Sequence, residues 1–124
     1  MHYLIDTHIF LWWIDNNKKL SEKIKSVIAN PSNIIFVSSV TTWEITIKKS
    51  LGKLEVPDNI IEIIEECGFE TLSISPIHTL GIENLPDIHD DPFDRLLISQ
   101  AICEDLILIT NDQYIKQYDL KLLS

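Results

Sequence analysis

Short, fully apolar runs alternate along this chain with longer stretches in which apolar residues recur every three or four positions, and that alternation predicts strands interleaved with helices. Tyr3-Leu4-Ile5 reads as a strand ending at Asp6, and the Trp-rich stretch His8 to Ile14 reads as a helix closed by the polar cluster Asp15-Asn16-Asn17. Ser21 is placed to cap a second helix through Ala29, because Ile24, Val27 and Ile28 fall at helical spacing, and Asn30-Pro31-Ser32-Asn33 then forces a turn. Ile34 to Val37 is a short buried strand. The next helix starts at Ser39 or Thr41 and runs through Leu51, with Gly52 where a left-handed residue is wanted.

The second half repeats the pattern. Pro57 is expected to open a helix to about Cys67, with Ile60, Ile61, Ile63 and Ile64 packing inward and Gly68 as its stop. Thr71 to Ile74 reads as a strand, Pro76 to Ile82 as a turn or two of helix, and Leu85 to Asp91 as a polar loop. Asp91-Pro92-Phe93-Asp94 is a strong helix start: a capping acid, proline at the first helical position, and a second acid where the helix dipole favours negative charge. That helix extends to about Glu104. Leu106 to Thr110 is the most strand-like run, a short helix is expected from about Asn111 to Gln117, and Leu120 to Leu122 suits an edge strand. Strands alternating with helices imply an α/β fold, a mostly parallel sheet covered on both faces. In such sheets ligands bind at the carboxyl ends of the strands, where Asp6 and Asp112 fall.

The length, 124 residues, fits one domain spanning 1–124, large enough to bury roughly two-thirds of the surface its unfolded chain exposes. No apolar run approaches the roughly 18 residues of a membrane span, and the first residues lack the basic region and cleavage site of a leader. The expected compartment is the cytoplasm. Cys67 and Cys103 stand alone in apolar helical contexts, as buried free thiols do. The net charge of −9 argues against bulk electrostatic binding of nucleic acid. Its distribution changes that picture: residues 18–53 carry seven lysines against two glutamates, a local +5 that leaves −14 on the remainder. The lysines are either solvated helix faces or a basic rim beside a metal site, holding a polyanion whose scissile phosphate meets the metal.

Four acids have both an ordinary and a chemical reading. Asp6 can cap the next helix, Asp94 can serve the first turn of its own, and Asp112 can be a turn acid after Thr110-Asn111. Glu44 is harder to dismiss, because Trp43, Ile45 and Ile47 make its helix apolar around much of its circumference, although Lys48 one turn on offers an ion pair. Taken together, two acids at strand ends and two on helices that can face them form a set of carboxylates that wants a cation. Mg²⁺ or Mn²⁺ and phosphoryl chemistry are therefore expected, with Thr7 placed to fix a carboxylate rotamer. The four histidines do not suggest zinc: no two lie at i, i+4 and no cysteine accompanies them. His89, beside Asp90 and Asp91, reads either as a substrate contact or as an ordinary loop residue. Trp12 and Trp13, adjacent on one helix, cannot share a face, so one is expected in the core and the other on a partner surface.

These residues lead to a family. Tyr3-Leu4-Ile5-Asp6-Thr7-His8, Ser38 to Ile45 with Trp43-Glu44, Lys48 to Leu54, Asp91 to Ala101 and Thr110-Asn111-Asp112 occur in an order that resembles the PIN-domain ribonucleases, most closely the VapC-like toxins of type II toxin-antitoxin pairs. The Asp91 to Ala101 block together with Trp43-Glu44 is the specific part; Ser99 stands where alanine is expected. The resemblance implies a PIN-like three-layer α/β/α fold and metal-dependent cleavage of RNA. It makes Asp6, Glu44, Asp94 and Asp112 the catalytic and metal-binding acids, supported by Thr7 and Thr110. Asp6 and Asp94 would be principal ligands, Glu44 a direct or water-mediated one, and Asp112 the acid serving a second metal or positioning water. Lys48 and Lys49 would touch substrate phosphates. A cognate antitoxin and a homodimer are the implied partners. The competing reading keeps the scaffold as a catalytically inactive PIN-like RNA- or protein-binding module; a complete set of four acids speaks against it. A phosphatase-like or receiver-like pocket is disfavoured because no DxD spacing follows Asp6.

Overall fold

In a computed structural model that describes all residues 1–124, strands and helices alternate as the apolar pattern requires. In chain order they are β1 (His2–Ile5), α1 (Thr7–Ile14), α2 (Glu22–Ala29), β2 (Ile34–Ser38), α3 (Ser39–Ser50), α4 (Ile60–Glu66), β3 (Glu70–Leu72), α5 (Pro76–Gly81), α6 (Pro92–Cys103), β4 (Ile107–Ile109) and β5 (Leu122–Leu123). Single 3₁₀ turns occupy Ile82–Asn84 and Ile115–Gln117. The strands form one sheet in the order β3-β2-β1-β4-β5, and every pair is parallel.

The sheet is buried on both sides because its central strands carry no polar face. On β1, Tyr3 and Ile5 point to a core shared with Ile9, Phe10, Ile24, Ile28 and Ile64 from α1, α2 and α4. Leu4 points the other way, to a core built on Leu96, Leu97, Ile98 and Ala101 of α6. This is the two-residue period of a strand sorting its side chains between two layers of helix. Helix α3 contributes Ile45 to the first core and Val40 to the second. The result is a three-layer α/β/α arrangement.

The strand order has a direct consequence for function. The chain builds outward from β1 through β2 to β3, then crosses back to add β4 and β5 on the other side. Where the winding reverses, between β1 and β4, the connections leave in opposite directions and a crevice opens at the carboxyl ends of the two strands. Asp6 follows β1 and Thr110 follows β4 at that crevice.

Polar side chains set how the helices meet the sheet. Ser38, the last residue of β2, accepts from the Val40 N–H at 2.9 Å to cap α3 and donates to Gln100 Oε1 of α6. Gln100 is wholly buried, and its Nε2 reaches the Ser73 carbonyl at 3.4 Å. Gly52 adopts φ +71° at the end of α3, which lets the Lys53 N–H close on the Lys48 carbonyl at 2.9 Å. Only glycine takes that conformation without cost.

Several elements differ from expectation. Helix α4 begins at Ile60 rather than Pro57, and of its four isoleucines only Ile64 is fully buried, while Ile61 is 72% exposed. At about 100° per residue, positions 60, 61, 63 and 64 spread over too wide an arc for one core-facing stripe. Strand β3 stops at Leu72 rather than Ile74, because its partner β2 ends at Ser38 and nothing beyond remains to pair with. The expected helix after Asn111 is only a 3₁₀ turn, and β5 lies at Leu122–Leu123. Cys103 is exposed at the end of α6 and Cys67 is half-buried; both are free. Trp12 and Trp13 are both half-buried against the first core, Trp13 packing on Phe69 with ring centroids 6.3 Å apart.

At the α5–α6 contact, a Cβ added at Gly81 would stand 2.6 Å from Ser99 Oγ, which is held by a hydrogen bond to the His78 carbonyl. Gly81→Ala is therefore expected to destabilise the protein by about 1–3 kcal/mol, and Ser99→Ala on that background should restore most of the loss. Urea denaturation of the single and double variants checks this.

Candidate active site

Asp6 performs the ordinary duty its position suggested: its Oδ1 caps α1 by accepting from the Ile9 N–H at 2.8 Å. Its Oδ2 accepts from the Thr110 hydroxyl. The residue is only 2% exposed, and burial outweighs both hydrogen bonds, lifting the carboxyl to about 6, with the charge of Asp112 adding to the rise. Thr110 Oγ also accepts from the Asp112 N–H at 3.0 Å, so one hydroxyl joins the acids that follow β1 and β4. Asp112 is fixed in turn, its Oδ1 accepting from the Tyr114 and Ile115 N–H groups at 2.8 and 3.0 Å.

Glu44 projects from α3 toward the start of α1 and is 3% exposed. The Thr7 hydroxyl donates to its Oε1 at 2.7 Å, so the 3.1 Å contact between Thr7 and Thr41 uses the Thr41 proton. Lys48, one turn along, pairs with Oε2, which realises the i, i+4 pair read from the sequence. The hydrogen bond to Glu44 holds the Lys48 ammonium above its ordinary range, and the charges of Asp91 and Asp94 act in the same direction. Lys48 thus lies in the field of acids on two helices. Lys49 is exposed and paired with Asp58.

Asp94 sits in the first turn of α6, its N–H donated to the capping Asp91 Oδ1 at 3.0 Å. Burial raises its carboxyl to about 6; Asp91, Asp6 and Asp112 push it further up, against a hydrogen bond from His89. The charge of Asp112 therefore reaches both Asp6 and Asp94, and that of Asp6 reaches Asp94. Arg95 does not pair with its neighbour Asp94; its guanidinium turns to the Pro86 carbonyl at 3.0 Å and the Tyr118 hydroxyl at 3.1 Å.

His89 is the residue whose place the sequence left open. Its Nε2 lies 2.8 Å from Asp94 Oδ2, and its ring stacks on Tyr114 with centroids 4.8 Å apart and planes 10° from parallel. Ligand-capable atoms of His89, Asp94 and Asp112 all fall within 4.8 Å of one another. The sequence signal was its position five residues before Asp94, but only the folded loop turns that spacing into contact.

The donor set suits a hard divalent cation. Its carboxylate oxygens are the ligands Mg²⁺ and Mn²⁺ prefer, and like charges gathered in a partly buried crevice gain most from a cation that neutralises them. Without one, the acids oppose folding. Because the Asp6 carboxyl titrates near 6 when folded and near 3.8 when unfolded, the folded state holds the extra proton between these values, so stability falls as pH rises through them and the loss is complete above about 6. The cost is on the order of 3 kcal/mol. In metal-free buffer Asp6→Asn, which keeps a capping oxygen, should be about 1–3 kcal/mol more stable than wild type at pH 7.5 and about equal near pH 4; urea titrations in chelator at the two pH values test this.

Comparison with known proteins places this geometry in context. The family model of the PIN domain matches residues 3–121. Solved structures similar to the chain include VapBC2 from Rickettsia felis bound to a DNA fragment from their promoter, at 21% identity and TM-score 0.73, covering 99% of this chain and 98% of that one. VapBC-1 from nontypeable Haemophilus influenzae matches at 21% identity and TM-score 0.65, covering 100% and 98%. A toxin-antitoxin complex from Klebsiella pneumoniae matches at 17% identity and TM-score 0.68, covering 98% and 96%. A search of curated proteins returns no match. At these identities the solved structures speak for the fold, and the match over nearly the whole length decides the family: the chain belongs to the PIN domain family.

Proposed function

We propose that this protein is a Mg²⁺- or Mn²⁺-dependent endoribonuclease and the toxin of a toxin-antitoxin pair. The observation that carries this reading is that ligand-capable atoms of His89, Asp94 and Asp112 lie within 4.8 Å of one another, with Asp6 near enough for its charge to raise the Asp94 carboxyl. Asp6 and Asp94 would be the principal metal-holding residues, Asp112 would serve a second ion or orient water, and Glu44 would act directly or through water. A divalent cation bound there supplies Lewis acidity, acidifying water for attack and offsetting the charge that builds on the phosphate.

The chain's own residues do the rest. Thr110 fixes the Asp6 carboxylate against Asp112, and Thr7 fixes Glu44. Lys48 and Lys49 stand on α3 to receive phosphates flanking the scissile bond, Lys48 by sharing its charge between Glu44 and substrate. Lys19 and Lys23 line a hollow with Asn111, the residue before Asp112, and would add positive charge for a polyanion near the crevice. RNA as substrate rests on family membership, as does the homodimer. An antitoxin partner is supported by the VapBC and toxin-antitoxin complexes that share the fold. No helix is long and apolar enough to cross a membrane. The cytoplasm, where RNA is met, is the compartment proposed for such a toxin.

Asp94→Asn and Asp6→Asn are each expected to fold and to lose metal-dependent RNA cleavage by at least about a hundredfold. Gel-resolved cleavage of a total RNA preparation by repurified proteins, with circular dichroism as the folding control, checks both; equal cleavage by wild type and variants would reject the site.

A further inference from the structure

We propose that His89 Nε2 is itself a ligand of the divalent cation, so that the centre is a mixed carboxylate-imidazole site that takes Mn²⁺ in preference to Mg²⁺. The inference rests on the functional reading above in one respect, that a cation binds in this crevice at all. Its own support is geometric. Two adjacent ligands of an octahedral ion, each roughly 2.1 Å from it, stand about 3 Å apart. His89 Nε2 and Asp94 Oδ2 are 2.8 Å apart, and a ligand atom of Asp112 completes a set within 4.8 Å.

The oxygens around this set differ in how far they are committed. Both oxygens of Asp6 and both of Glu44 already accept from protein donors. On Asp94 the only side-chain contact is with His89, and on Asp112 the protein donors all go to Oδ1. Capacity for an ion is therefore greatest where the imidazole is. The contact between His89 Nε2 and Asp94 Oδ2 is what the cation would replace, with the ring in the tautomer that leaves the Nε2 lone pair free.

The position of His89 is also built rather than incidental. Its N–H donates to the Tyr118 hydroxyl at 2.9 Å, and Arg95 Nη1 holds that same hydroxyl at 3.1 Å and the His89 carbonyl at 3.4 Å. Tyr114, on which the ring stacks, gives its N–H to Asp112 Oδ1 at 2.8 Å. One residue thus orients two of the three donors, the kind of outer support that metal-binding histidines have. An imidazole donor shifts preference away from Mg²⁺, which favours oxygen and retained water, and toward first-row transition ions.

The test uses the full chain, stripped with chelator and titrated with Mn²⁺ or Mg²⁺ alone. Pulsed electron paramagnetic resonance of bound Mn²⁺ should show nitrogen coupling in wild type. His89→Phe, which keeps a ring against Tyr114, and His89→Gln should both abolish it. Calorimetry should show the Mn²⁺ dissociation constant rising roughly tenfold or more in both variants, while that for Mg²⁺ moves by less than about twofold. Mn²⁺ bound by wild type without nitrogen coupling would overturn the proposal and leave the acidic metal site standing. Coupling that persists in both variants would overturn it too, assigning the nitrogen elsewhere, with His8 beside Asp6 the first suspect. Failure of wild type to bind either ion would overturn both this inference and the functional reading on which it rests.

Discussion

Mutual repulsion among carboxylates held partly out of water, at the one place where the sheet reverses its winding, is the constraint around which the surrounding structure is organised. Burial and neighbouring charge lift both Asp6 and Asp94 to about 6, and an isolated cluster of this kind would protonate or disperse. Dispersal is prevented because the carboxylates also do structural work. Asp6 caps α1, Asp112 caps the turn that follows β4, and Asp91 caps the helix that presents Asp94. Removing an acid to relieve the repulsion would therefore also remove a cap, unless asparagine replaces it.

The hydroxyls of Thr7 and Thr110 show how this tension is managed. Each sits beside an acid at the start of α1 or the end of β4 and spends its proton on a buried carboxylate, on Glu44 and Asp6 respectively. The Ser38–Gln100 contact works at longer range, locking α6 to the end of β2 so that Asp94 approaches the crevice from a fixed direction. Such supports are worth most when the groups they hold must stay within a few tenths of an ångström of one geometry.

Much of this was legible in the sequence, and the reasons are specific. Tyr3-Leu4-Ile5 and Leu106 to Ile109 lack polar positions, which marks strands covered on both faces, and an apolar helix around Glu44 marks a buried acid. Less legible were features that depend on a partner distant in the chain. Strand order is not written in any one strand, so the crevice between β1 and β4 could be inferred only in kind. β3 ends where β2 runs out, a fact about residue 38 rather than about Ile74. Ile61 looked like its neighbours and faces solvent because helix geometry, not hydrophobicity, decided. Arg95, adjacent to Asp94 and of opposite charge, serves the 82–89 loop instead, and the place of His89 follows from Tyr118 and Tyr114 about 25 to 29 residues away.

Whether these acids cage a divalent cation is decided by thermal unfolding in chelator-cleaned buffer with increasing Mn²⁺. The wild-type midpoint should climb with the logarithm of Mn²⁺ concentration, about 2.7 kcal/mol of stabilisation at a hundredfold excess over the dissociation constant. The Asp6→Asn/Asp94→Asn double variant should stay flat over the same range. A wild-type midpoint indifferent to Mn²⁺, or an equal rise in both proteins, would contradict it.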